Sequence, residues 1–254
     1  MVDVYNPYSL VNALKSKEII NFWASSGATS LLPKFVDNAE LRLSKFENCS
    51  VMRNTLELSD VSGGGAELFL YQSGYLTIKE SDEFGYILGF PNEEVKQALY
   101  ETVLPALAMR SENEIQSLQA GLYRELGTGQ IDEAMNSLKA LIADVPYSNK
   151  KLASMDMEER YRLIISTIMN AIGLSVEVEK MISTGRIDMT VKTSRYIYVI
   201  ELKLRNNGGK EAATEQILNR QYMEPFKADK RKVIGLGIEL DEEGKGLLDW
   251  KRAE

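Results

Sequence analysis

Three side chains with chemically suggestive spacing stand in the last third of this 254-residue chain. Asp188 closes the run Thr184-Gly-Arg-Ile-Asp188. Thirteen positions later Glu201 begins Glu201-Leu-Lys203, at the end of Tyr196-Ile-Tyr-Val-Ile. Side chains alternate along a strand, so Glu201 and Lys203 share a face with Leu202 opposite. A hairpin joining the two segments would bring Asp188 beside them. Two carboxylates and an ammonium at one end of a sheet suit metal-assisted hydrolysis of a phosphodiester. The carboxylates of Asp188 and Glu201 would hold Mg²⁺ (or Mn²⁺), a hard cation that takes oxygen ligands. The metal would generate and orient a hydroxide, and Lys203 would position the water or offset transition-state charge.

The bland alternative for each residue is an ion pair. Asp188 could pair with Arg186, and Glu201 with Lys203 or Arg186. Glu201 follows an almost wholly apolar run, however, and an acid half-buried there is costly unless paired or metal-bound. Composition narrows the other options. The chain has no histidine, which excludes His-based triads and His-ligated metals, and its single cysteine, Cys49, excludes a disulfide framework and a Cys-rich zinc site. Hydrophobic residues make up 44% of the chain, enough for real cores. No run is long and apolar enough for a membrane span, and the N-terminus lacks a signal-peptide pattern, so a cytoplasmic location is expected.

The net charge of −7 is unevenly spread. Residues 151–254 hold 18 Lys+Arg against 17 Asp+Glu, and residues 1–150 hold 12 against 20. The half with the candidate site is therefore near neutral. Neither half has the strongly basic surface of a general DNA binder.

The elements around these residues follow from periodicity. Apolar spacing predicts short amphipathic helices after Asn6-Pro-Tyr-Ser9 and over Leu31–Phe46, a loop at Ser62-Gly-Gly-Gly65 and a helix over Ala66–Gln72. Tyr75–Glu80 and Tyr86–Phe90 flank the turn Ser81-Asp-Glu-Phe-Gly85 as a hairpin, and a helix follows Pro91-Asn92. This grouping predicts a winged-helix-like unit. Two further helical stripes between Glu112 and Val145 are separated at Gly127-Thr-Gly129. Pro146–Lys151 reads as a linker, giving a mostly helical region 1–148 and a second domain 149–254. In the latter, a helix from Met155 to Gly173 precedes strands at Val176–Lys180, Arg186–Lys192 and Tyr196–Leu204, a helix at Glu211–Tyr222 and a strand at Lys232–Ile238. The class is α+β or α/β.

Gly185-Arg-Ile-Asp188 followed by Ile200-Glu-Leu-Lys203 resembles the PD-(D/E)XK nuclease superfamily. The stretch from about Glu158 to Leu240 is similar to the nuclease-like domain that ends many bacterial proteins carrying an AAA-ATPase-like domain. Asn6-Pro-Tyr-Ser-Leu-Val-Asn-Ala-Leu, Tyr71-Gln-Ser-Gly-Tyr-Leu-Thr-Ile and Leu88-Gly-Phe-Pro-Asn-Glu-Glu-Val resemble the rear part of that ATPase-like domain. The resemblance implies a restriction-endonuclease-like αβββαβ core with a mixed central sheet, and Asp188 and Glu201 as metal ligands. It further implies that Glu158, or failing it Glu159, joins the site from the first core helix. Gln216 would approach from the helix after the Glu201-Leu-Lys203 strand. Some relatives carry glutamine and tyrosine four residues apart; here Tyr222 follows Gln216 by six. Relatives also carry a histidine on the first helix where this chain has Arg162.

Asn207-Gly-Gly-Lys-Glu211 lacks the full phosphate-loop pattern and no other P-loop is present, so ATP hydrolysis is not expected. Two functions follow: a Mg²⁺-dependent nuclease acting on nucleic acid, or a non-catalytic interaction or regulatory module on a degenerate nuclease-like scaffold. In the second case the acidic first half would bind a protein partner or another copy of the chain.

Overall fold

The structure is a computed structural model and describes residues 7–18, 22, 43–57, 61–108, 112–143 and 155–253. Contacts within the chain divide it into two compact units, Met1–Val103 and Leu104–Glu254. The sequence division at 148/149 rests on Pro146–Lys151, which lies outside the described residues, as does most of the helix expected over Leu31–Phe46.

In the first unit, helix α1 (Pro7–Ser16) is followed by a 3-10 turn over Leu43–Asn48 and strand β1 (Cys49–Met52). Helices α2 (Arg53–Glu57) and α3 (Val61–Gln72) lead into the hairpin of β2 (Thr77–Ser81) and β3 (Gly85–Gly89). The expected loop at Ser62–Gly65 is a helical turn, broken where Gly65 takes φ 68 and ψ −165, a conformation open to glycine. The hairpin forms because Asp82 holds the turn: its Oδ1 accepts the backbone N–H groups of Phe84 and Gly85, each at 2.8 Å. Strand β1, too short and too mixed to show alternation, pairs antiparallel with β3 and makes a sheet of order β1-β3-β2. Helix α4 (Glu93–Ala108) starts on an Asn92 cap that accepts from Val95 N at 2.9 Å. Leu68, Leu70, Tyr75, Leu88 and Leu99 are wholly buried and form the core of this unit.

Beyond the last residues of α4, the second unit holds α5 (Glu112–Thr128) and α6 (Ile131–Ala143), which turn at Gly129 (φ +78). Both pack on the sheet that follows. The Tyr198 hydroxyl donates to Leu126 O at 2.6 Å, the Trp250 indole to Asp132 at 2.9 Å and Lys139 Nζ to Leu248 O at 3.1 Å. Helix α7 (Met157–Ala171) is capped by Asp156, which accepts from Glu159 N at 2.9 Å, and carries Glu158 and Glu159 in its first turn. Its apolar stripe, Tyr161, Ile164, Ile165 and Ile168, is buried.

Strands β4 (Ser175–Ile182), β5 (Gly185–Lys192), β6 (Tyr196–Leu204), β7 (Lys232–Leu240) and β8 (Leu247–Ala253) form a mixed sheet in chain order. All neighbours are antiparallel except β6 and β7, joined in parallel through helix α8 (Gly209–Asn219). β6 is buried from Ile197 to Leu202, which explains its continuous apolar run. The expected helix over Glu211–Tyr222 ends at Asn219, and β7 runs two residues past Ile238. Strand β8 extends the expected αβββαβ order by one strand. Its half-exposed Leu-Asp-Trp-Lys sequence carries no clean alternation to announce it.

Candidate active site at the split of the second sheet

The site arises where two strands part. β5 pairs with β6 from Lys192↔Ile197 to Met189↔Ile200 and no further, while β4–β5 continues to Ile182↔Gly185 and β6–β7 to Leu204↔Leu240. Asp188 is the first β5 residue past the split, and Glu201 and Lys203 lie on the freed end of β6. Backbone groups exposed by such a split need partners, and carboxylates supply them. Asp188 Oδ2 accepts Leu202 N at 3.0 Å, and Glu158 Oε1 accepts Leu204 N at 3.4 Å. The β4–β5 ladder is also interrupted here. The pairs Val178↔Met189 and Lys180↔Ile187 bracket Glu179, which has φ 52, opposite Asp188.

An open cleft of about 630 Å³ occupies the split and is lined by all five residues singled out by sequence: Glu158, Asp188, Glu201, Lys203 and Gln216. Asp188 is only 13% exposed, and its Oδ1 accepts from Arg162 NH1 at 3.0 Å. Glu201 is 1% exposed. Its Oε1 accepts from the Gln216 amide and lies 3.6 Å from Lys203 Nζ, while its Oε2 is buried with no hydrogen-bond partner. Burial and the neighbouring Asp188 charge, opposed by Lys203, push the Glu201 carboxyl up to about 8. Gln216 Nε2 also donates to the Tyr222 hydroxyl at 3.2 Å. Glu158 is engaged differently from the other acids. Its Oε1 accepts from Leu204 N and from Asn207 Nδ2 at 3.2 Å, so it fastens the end of β6 at the rim of the cleft.

Of the cleft residues that were not sequence candidates for the site, Arg162 and Tyr222 contact candidates directly. Arg162 stands one helical turn after Glu158, a spacing that places both on one face of α7. Tyr222 reaches Gln216 because the chain folds back after α8: Gln221 takes φ 52 and Tyr222 N donates to Ile217 O at 3.0 Å. Gly185 makes room for it, since a Cβ there would come within 3.0 Å of the Tyr222 hydroxyl.

The donor set fits a hard divalent cation. Glu201, with its unpaired carboxylate oxygen, and Asp188 line the same cleft, and neither sulfur nor imidazole is present there. Among the described residues no three or more histidine, cysteine, aspartate or glutamate side chains are placed to hold one metal ion together. Two carboxylates are sufficient for Mg²⁺, which keeps several of its waters.

Residues 156–250 match the family model of the PD-(D/E)XK nuclease superfamily, and the mixed five-stranded sheet with its helices is consistent with that fold. The chain is 26% identical over 260 aligned positions to an uncharacterised protein in the vnfD 5' region of Azotobacter chroococcum mcd 1. The match covers 97% of this chain and 49% of that protein, so the chain spans about half the length of the curated relative it matches. No solved structure matches. Among the described residues, no helix is long and apolar enough to cross a membrane.

Proposed function

We propose that the second unit is a divalent-cation-dependent nuclease, acting in the cytoplasm on phosphodiester bonds of nucleic acid. The observation that carries this reading is the buried Glu201 carboxylate. Its Oε2 is unpaired, and the residue lines an open polar cleft together with Asp188 and Lys203. Burying such a group is costly, and a bound cation would offset the cost. Asp188 and Glu201 would hold Mg²⁺ or Mn²⁺. When bound, the ion supplies a water of lowered pKa and a counter-charge for the phosphoryl oxygens. Lys203 presents its ammonium to the reacting phosphate, where it offsets charge developing in the transition state. Gln216 orients Glu201 and is itself held by Tyr222. Glu158 secures the end of β6 and so the position of Lys203.

The test is cleavage of labelled duplex DNA, single-stranded DNA and RNA with Mg²⁺ or Mn²⁺, compared with a chelator. Asp188→Asn and Lys203→Met should each reduce cleavage by about 100-fold or more with the fold intact. Cleavage at the wild-type rate by either variant would refute the reading.

One observation favours the second reading, a nuclease-like scaffold serving an interaction module: Asp188 Oδ1 is already occupied by Arg162. That reading expects a stable protein partner and no divalent-cation binding. The acidic first unit, with helices beside its three-stranded sheet, is read in either case as a winged-helix-like relative of the rear of an AAA-ATPase-like domain, suited to a protein partner or a second copy.

A further inference from the structure

Asp188, read above as a cation ligand, already holds a cation that belongs to the chain. Arg162 NH1 lies 3.0 Å from Asp188 Oδ1 and 3.4 Å from Glu179 Oε1, and its side chain is only 14% exposed. One guanidinium nitrogen is thus shared between the nearly buried Asp188, where little solvent screens the pair, and the half-exposed Glu179. The second acceptor is placed at some expense. Glu179 adopts φ 52, a left-handed conformation that non-glycine residues seldom take, at the interrupted pair opposite Asp188. Its carboxylate also meets Arg186 at 3.0 Å.

The cluster around the split contains three carboxylates, Glu179, Asp188 and Glu201, and three fixed cations, Arg162, Arg186 and Lys203. With Asp156, Glu158 and Arg220, which also line the cleft, five carboxylates face four cations when all are ionised, so a divalent cation turns a net charge of −1 into +1. A divalent cation arriving at Asp188 and Glu201 would stand next to the guanidinium, and like charges that close, half-buried, repel strongly. Glu179 offers Arg162 an alternative partner already within 3.4 Å.

Building on the reading of Asp188 and Glu201 as cation ligands, we propose that Arg162 is a displaceable counter-ion. It neutralises Asp188 in the metal-free protein and passes to Glu179 when a divalent cation enters. The cluster then carries excess positive charge, which a phosphodiester backbone neutralises. Cation and nucleic acid therefore bind with mutual assistance, as linkage requires.

The test is calorimetric titration of Mn²⁺ into the full chain and into Arg162→Gln, Glu179→Gln and Asp188→Asn, with circular dichroism confirming the fold of each. Arg162→Gln keeps an amide donor for Asp188 but removes the competing charge. It should bind Mn²⁺ about tenfold or more tightly than wild type, an ordinary size for coupling between neighbouring sites. Glu179→Gln removes the alternative partner and should bind several-fold more weakly. Should Arg162→Gln fail to fold, Glu179→Gln carries the test alone. Asp188→Asn should lose binding. Equal or weaker binding by a folded Arg162→Gln, or unchanged binding by Glu179→Gln, overturns the proposal. So does the absence of Mn²⁺ binding in every variant. In that last case Mn²⁺-dependent cleavage by wild type would leave the nuclease reading standing while the counter-ion role falls, and no cleavage would remove both.

Discussion

The buried Glu201 should make the metal-free protein less stable than a variant lacking the charge. In the folded chain its carboxyl is pushed up to about 8, against 4.5 for the free group. Below pH 4.5 folded and unfolded chains both hold the proton, and the residue contributes no pH dependence. Between 4.5 and 8 the unfolded chain releases the proton while the folded chain keeps it, so stability falls as pH rises. At about 1.4 kcal/mol for each pH unit, the gap sets a ceiling of about 5 kcal/mol above pH 8. The unpaired Oε2 alone accounts for about 1–3 kcal/mol of cost.

Glu201→Gln keeps the shape and leaves an acceptor for Gln216. In chelator it should raise stability by about 2–4 kcal/mol at pH 8 and by less than about 1 kcal/mol at pH 5. The assay is urea unfolding at both pH values, followed through Trp250 fluorescence in a Trp23→Phe background so that only the second unit reports. Other titrating groups cancel in the difference between the two proteins. If the stabilities of variant and wild type run parallel from pH 5 to pH 8, Glu201 is not the strained acid described above. Adding Mn²⁺ should stabilise the wild type and leave the variant nearly unchanged.

Two neighbouring glycines should respond in opposite directions. Gly129→Ala places a Cβ within 2.6 Å of the Tyr196 ring at φ +78 and should cost about 2–4 kcal/mol in thermal or chemical unfolding. Gly127→Ala, inside α5 with nothing within 4 Å, should gain about 0.5–1 kcal/mol. Glu177 offers a pH test away from the cleft. Burial opposes its charge, but hydrogen bonds from Lys180 and Lys192 outweigh this and hold its carboxyl below the usual range. Its stabilisation is therefore complete above pH 4.5 and lost as pH falls through the lower folded value. At this largely solvated site Glu177→Gln should cost a few tenths of a kcal/mol at pH 7 and nothing near pH 2.

Where the sequence was informative, the physics was local. Strand alternation and the apolar run of β6 were enough to predict Glu201 and Lys203 on one face at the end of a buried strand. The capped, periodic α7 was equally plain. The features that escaped prediction depend on contacts distant in sequence or on single unusual dihedrals. Tyr222 looks badly spaced from Gln216 if the helix is extended through it. The helix ends at Asn219, and the left-handed Gln221 brings the ring back within 3.2 Å. Glu179 shows nothing in its sequence context that announces φ 52. The hold of Arg162 on Asp188 crosses 26 positions, and only the shared helix face with Glu158 hinted at it. Strands β1 and β8 are defined by their neighbours rather than by their own periodicity, and so had no signature.

The docking of α5 and α6 on the sheet bears on how this domain can be excised. The stretch that matches the superfamily begins at residue 156, but the compact unit begins at Leu104. A fragment cut at residue 156 would leave the Tyr198 hydroxyl without Leu126 O, the Trp250 indole without Asp132 and Leu248 O without Lys139. The stretch that matches the family model is thus shorter than the compact unit, and a recombinant segment would have to carry the helical pair with it to keep these contacts.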